Sequence, residues 1–170
     1  SGSSDSADIG AAEAKKCVNS VLQKDIAAFD FFEGPGPGKK EECAGMAIII
    51  TLISTTFRHL RFPQSKVCLI LLLARLAPLL EDELILQRAL PILVTCLDDE
   101  HHGHIRALAL RAITSMLMHV KTLTSSEADI FPSYLLPALN RVVKDPEIIV
   151  RVAYAECLGK LAEVSKRFLE

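Results

Sequence analysis

Leu136 to Ala162 reads LPALNRVVKDPEIIVRVAYAECLGKLA, and Leu90 to Leu117 reads LPILVTCLDDEHHGHIRALALRAITSML. The second stretch repeats the plan of the first at an offset of about 45 residues. Each copy sets a proline after a leucine (Pro91, Pro137) and an aspartate eight residues further on (Asp99, Asp145). Each then places an arginine, Arg106 or Arg151, near the start of a second apolar run. A period of this size holds two helices per copy and predicts an all-α fold, an α-solenoid. One helical pair cannot bury its apolar face alone, so neighbours stack. Such an architecture presents surface, which weighs against an enzyme.

Outward from these copies, apolar residues recur at helical spacing and predict six helices in three antiparallel pairs. They cover about 43–60, 64–80, 82–97, 104–120 and 129–143, with the sixth opening at Pro146 behind Asp145 as N-cap. Leu86, Leu90, Leu93 and Leu97 make one inward face, and Ile105, Leu108, Ala112 and Met116 or Leu117 another. Val150, Tyr154, Cys157, Leu161, Val164 and Phe168 make the last. On its outer side Glu156/Lys160 and Glu163/Arg167 stand at i, i+4, pairs that contribute a few tenths of a kcal/mol each.

Pro91 and Pro137 fall inside predicted helices. An interior proline removes a backbone hydrogen bond and costs about 3 kcal/mol unless the helix bends around it. Both are therefore expected to kink their helices. Asp99 and Asp145 close the first helix of each pair, while Arg106 and Arg151 stand near the start of the second. In stacked repeats these four charges are expected to form a structural ladder between neighbouring turns.

Composition agrees. Half of the 170 residues are hydrophobic, and two Tyr, seven Phe and no Trp suit packing of Leu, Ile, Val and Ala helix on helix. A net charge of −2 without long charge blocks disfavours a broad nucleic-acid face. The longest apolar run, Val67 to Ala74, is far short of the roughly 20 residues a membrane span needs. No signal-peptide pattern opens the sequence, and residues 1–10 read as a disordered leader or tag. Residues 11–42 read as one helix, carrying Val18, Leu22, Ile26 and Phe29, and a linker through Gly34-Pro35-Gly36-Pro37-Gly38. The repeat domain then spans 43–170. The linker is no phosphate loop, because Glu33 and Lys40 stand where that motif needs Gly and Ser or Thr. Five cysteines (Cys17, Cys43, Cys68, Cys96, Cys157) lack framework spacing, and three sit on apolar faces, which suggests reduced core thiols in a cytosolic protein.

Candidate chemistry is sparse. His101, His102 and His104 cluster near Cys96, a set able in principle to bind zinc, but adjacent loop histidines diverge and read as solvated turn residues. His59 and His119 read as helix C-terminal charges. There is no Gly-x-Ser-x-Gly elbow, and Cys68 and Cys157 lie in apolar surroundings unsuited to a nucleophile. No catalytic residue, cofactor or metal is expected.

A Pro-containing first helix, Asp at the turn and Val-Arg-x-Ala on the second helix resemble a HEAT repeat, whose stacks are right-handed and curved. The segments Phe131-Pro132-Ser133-Tyr134-Leu135-Leu136-Pro137 and Ile149-Val150-Arg151-Val152-Ala153-Tyr154-Ala155-Glu156 carry a closer likeness. So do Leu161-Ala162-Glu163, Arg167-Phe168-Leu169-Glu170 and Leu72-Leu73-Ala74-Arg75-Leu76-Ala77-Pro78. Over about 45–170 the sequence resembles the HEAT-repeat region of the regulatory subunit of class III phosphatidylinositol 3-kinase, a vacuolar-sorting kinase-like scaffold. The resemblance implies a noncatalytic segment, with a serine/threonine kinase-like domain and a WD40 propeller elsewhere in the parent. It implies the phosphatidylinositol 3-kinase catalytic subunit and a beclin-like subunit as partners. It also implies work in endosomal sorting and autophagy, cytoplasmic and peripheral on those membranes. Another HEAT adaptor, such as a phosphatase scaffold or a transport receptor, is the alternative. Open end faces are expected to make the fragment self-associate.

Overall fold

Every regular element among the described residues is helical. The computed structural model describes residues 20, 23–24, 26–32, 44–122 and 130–169. The leader at 1–10, the Gly-Pro linker, Val18, Leu22, Cys17 and Cys43 lie outside them. The protein separates into two units, Ser1–Asp30 and Phe31–Glu170. In the first, residues 20, 23–24 and 26–28 are helical, with Ile26 and Phe29 half-buried.

The second unit holds α1 (Ala44–Phe57), α2 (Pro63–Leu76), α3 (Leu90–Leu97), α4 (Gly103–His119), α5 (Leu136–Val142) and α6 (Ile148–Leu169). A 3-10 turn at Ala77–Leu79 extends α2, and a short turn at Asp82–Leu84 leads toward α3. Turns of five residues join α1 to α2, α3 to α4 and α5 to α6, too short for anything but local reversal. The second helices stack: α4 lies between α2 and α6 and also packs on α3. The result is an α-solenoid.

The helix α4 shows why. From Ile105 to Leu110 and from Ala112 to Leu117 every residue is buried, Arg106 included. A helix apolar on all sides belongs in an interior. Ala107, Ala109 and Ala112 keep its surface thin, so three neighbours approach it at once. The predicted inward faces hold: Leu86, Leu90, Leu93 and Leu97 are buried, as are Val150, Cys157, Leu161 and Val164. Tyr154 is half-buried, and the side chain of Phe168 lies outside the described residues.

Both prolines sit where the winding changes. A π-helical turn, Ile85–Ala89, precedes α3, and another, Ile130–Leu135, precedes α5. The Leu90 N–H bonds the Ile85 carbonyl, an i→i+5 bond. Each α segment then restarts one residue before its proline, which falls at the first or second helical position. The residues before each proline are themselves helical, so the proline withholds an N–H from a carbonyl of the preceding turn. The wider winding lies where the backbone has to accommodate it. π turns are rare and mostly single inserts; two of them, each followed by Leu-Pro, repeat with the period of the sequence.

Three expectations need correction. Cys68 is exposed rather than a core thiol. The helix α2 buries Val67, Leu69, Ile70, Leu71, Leu73 and Ala74, and helical spacing turns Cys68 and Leu72 outward together. Glu156 does not pair with Lys160; its Oε2 accepts from Arg111 Nε at 2.9 Å and Nη2 at 2.7 Å on α4, while Lys160 meets Glu163 at 3.3 Å. Finally, α6 begins at Ile148, and Glu147 supplies its first carbonyl, to the N–H of Arg151. Asp145 stands three residues before that start, and its carboxylate accepts the Glu147 N–H at 2.9 Å while also meeting Arg106.

Candidate functional site

Turns 98–102 and 143–147 each hold an aspartate whose side chain is turned inward, 5% exposed for Asp99 and 8% for Asp145. A short acid after a helix end folds back on nearby N–H groups, the reason Asp is favoured in turns. Asp99 Oδ1 accepts from the N–H groups of His101 (3.2 Å) and His102 (3.1 Å), and His102 Nδ1 lies 2.9 Å away. Asp145 Oδ1 accepts the N–H of Glu147 at 2.9 Å. The two turns are built alike.

Cations from neighbouring helical pairs close on these acids. Lys66 Nζ of α2 reaches Asp99 Oδ2 at 2.6 Å. Arg106 of α4 donates through Nε to Asp145 Oδ2 and through Nη2 to Asp145 Oδ1, both at 2.7 Å. Its Nη1 donates to the Asp99 carbonyl at 2.6 Å. One planar guanidinium thereby ties the turn of its own pair to the carboxylate of the next, a geometry lysine cannot offer. Arg151 of α6 repeats the first half of this arrangement: its Nη1 donates to the carbonyls of Asp145 (2.7 Å) and Pro146 (2.9 Å). Lys66, Arg106 and Arg151 are each the fourth residue of their helix. Asp99, Arg106 and Asp145 are thus brought together, while Arg151 meets Asp145 only through backbone oxygen. Pro91 and Pro137 lie outside the seam.

Electrostatics follow the geometry. The hydrogen bonds from Arg106 hold the Asp145 carboxyl below its usual value against burial, with help from the Glu147 N–H. The same pair raises Arg106. For Asp99, burial pushes upward, but hydrogen bonds from Lys66 and His102 and the Lys66 charge outweigh it, so the carboxyl lies well below the carboxylate range. Burial lifts the Cys96 thiol to about 12, which makes it a poor thiolate. The His101 and His102 rings meet edge to face at 6.3 Å, and His102 and His104 at 5.6 Å. Among the described residues no group of three or more His, Cys, Asp or Glu is placed to hold a metal ion. Nor is any helix there long and apolar enough to cross a membrane.

The sequence reading missed Lys66. The first pair has no Leu-Pro or Asp signal to align, and only the position three residues after the helix-opening Pro63 marks Lys66 as the counterpart of Arg106. It also missed Gly103, where an added Cβ would stand 2.7 Å from Glu147 Cγ and 2.9 Å from Glu147 Cβ. The absence of a side chain lets the third turn seat on the start of α4. The seam thus links each helical pair to the next through Lys66–Asp99 and Arg106–Asp145.

Residues 49–170 match the family described as PIK3R4-like, middle domain. The protein is 38% identical over 128 residues, 74% of its length, to the probable serine/threonine-protein kinase vps15 of Dictyostelium discoideum. It is 33% identical over 127 residues, 75% of its length, to serine/threonine-protein kinase VPS15 of Arabidopsis thaliana. Identity is 32% over 134 residues, 77% of its length, to serine/threonine-protein kinase VPS15 of Saccharomyces cerevisiae. The matched stretch spans 6%, 8% and 9% of these three relatives in turn.

Proposed function

The chain belongs to the family of PIK3R4-like middle domains, and from that premise we propose that it is a noncatalytic scaffold segment in the regulatory subunit of a class III phosphatidylinositol 3-kinase complex. In this reading the helical pairs are HEAT repeats and serve as a stiff spacer and docking surface. The lipid-kinase catalytic subunit and a beclin-like subunit are its partners. The parent works from the cytoplasm at endosomal and autophagic membranes, and its kinase-like domain lies outside residues 1–170.

The buried fork between Arg106 and Asp145 carries the reading best. Ion pairs held by two parallel bonds and a third carbonyl contact add geometric specificity. Here they lock one helical pair against the next, as a spacer requires. Affinity capture of the full-length parent from cells, read by mass spectrometry, is the test. The lipid-kinase catalytic subunit should co-purify with wild type and fall several-fold with Leu161→Ala plus Arg106→Ala. A parent free of any lipid kinase, or a disrupted variant that keeps it in full, overturns the proposal. In parallel the isolated segment should show no ATP turnover.

A further inference from the structure

The first helical pair differs from the others in charge. From Ala44 to Leu80 it holds Arg58, Arg61, Lys66 and Arg75 and not one Asp or Glu, in a chain whose net charge is −2. Lys66 is committed to Asp99 at 2.6 Å. Arg58 and Arg61 stand in the turn at 58–62, exposed together with His59, and neither makes an ion pair among the described residues. Beside them Phe62 is 67% exposed. Its backbone is held: the Phe62 carbonyl accepts the N–H groups of Ser65 (3.1 Å) and Lys66 (3.3 Å) at the start of α2. A helix N-cap ordinarily carries Ser, Thr, Asp or Asn. The phenyl ring makes no cap bond, so it serves neither its helix nor the core. The first turn of α2 has no acid, so the positive end of that helix adds to Arg58 and Arg61.

We infer that the turn at 58–62 is a contact site for an anionic phospholipid surface, with the Phe62 ring entering the headgroup layer and Arg58 and Arg61 on the lipid phosphates. Cations beside an anionic leaflet are attracted to it, and an aromatic ring gains by leaving water at the boundary. An acidic protein segment would satisfy the arginines but gives no reason for the ring to stand between them and solvent. Position agrees. The turns at 58–62, 98–102 and 143–147 share one edge, since Lys66 reaches Asp99 and Arg106 reaches Asp145. An edge turn stays open to a flat surface even where helical faces are covered. Glu100 and Glu147 are exposed on the neighbouring turns, and the same lipids would repel them, which confines the contact to the first turn. The inference rests on the proposed function only for the presence of a membrane; lipid contact is read apart from kinase co-purification, so either can fail alone.

The test uses the full-length parent, with a benzophenone amino acid in place of Phe62, and vesicles of phosphatidylcholine alone or mixed with phosphatidylserine. After irradiation the peptide bearing position 62 is read by mass spectrometry for lipid adducts, per vesicle-bound molecule. Adducts are expected on the mixed vesicles. Their yield should fall about five-fold or more on phosphatidylcholine alone, at raised salt, and with Arg58→Glu plus Arg61→Glu. Arg58→Lys plus Arg61→Lys, which keeps the charge, should retain most of it. The vesicle comparison needs no change at either arginine, so it stands whatever the variants do to folding. No lipid adduct, equal yields on the two vesicles, a yield indifferent to the Glu variant, or a crosslink to an acidic protein segment in place of lipid overturns the inference.

Discussion

Arg106 and Asp145 meet through two bonds of 2.7 Å although 39 residues separate them in sequence, and both side chains are less than a tenth exposed. Removing one member of a buried pair strands the other charge, which costs about 3–5 kcal/mol. Arg106→Ala should therefore lower the melting temperature by many degrees in circular dichroism. Arg106→Lys, which keeps charge but not the fork, should fall between. A shift of under one or two degrees for Arg106→Ala would remove the pair as a structural device.

Gly103 gives a test of sign. Alanine is favoured over glycine in a helix by about 1 kcal/mol, so propensity alone predicts a gain. The added methyl, however, would stand 2.9 Å from Glu147 Cβ, closer than real Cβ atoms come. Gly103→Ala is expected to destabilise by about 1–3 kcal/mol, the range for overpacking. Chemical denaturation should show the loss, and adding Glu147→Ala, which deletes the atom at 2.7 Å, should recover part of it.

The pH dependence follows from two depressed carboxyls. Asp99 and Asp145 both lie below their ordinary value of 3.8 when folded. A group whose folded value is depressed binds fewer protons in the native state, so its contribution is complete above 3.8 and is lost as pH falls through the lower folded values. The urea midpoint should stay level from about pH 7 to about pH 5 and drop steadily below about pH 4. Asp145→Asn should flatten that drop; an unchanged acid limb in the variant would contradict the assignment.

Core and seam should differ in size of effect. Leu161 is 6% exposed on the inner stripe of α6, and Leu161→Ala should cost about 2–5 kcal/mol. Arg151 is exposed and donates only to carbonyls here, so Arg151→Ala in the isolated segment should cost about 0.5–1.5 kcal/mol. Equal melting temperatures for the two variants would reverse this ranking.

Thiol labelling separates the three cysteines among the described residues. Cys68 is exposed, while Cys96 and Cys157 are buried with raised thiol values. A maleimide pulse on native protein, with modified peptides read by mass spectrometry, should label Cys68 promptly and the other two only after unfolding.

Buried faces were the legible part, because apolar spacing of three and four residues is set by the helix itself; Leu86 through Leu97 and Val150 through Val164 followed from it. The acids and arginines showed through because two copies could be laid over each other. Lys66 stayed hidden because its pair lacks the aligned landmarks, and Cys68 was misplaced because a run of apolar letters says nothing about which of them turns outward. The partner of Glu156 was missed for another reason: local spacing proposed Lys160, but a neighbouring helix brought Arg111 closer. The π turns left no signal before their prolines, since an i→i+5 bond is a choice of backbone winding and not of composition.

Because α4 touches both flanking second helices and hides nearly its whole circumference, this molecule lacks the loose-leaf character of longer repeat arrays. Its layers have one spine in common. Heating should then produce a single sharp transition, with neither end peeling away while the middle persists.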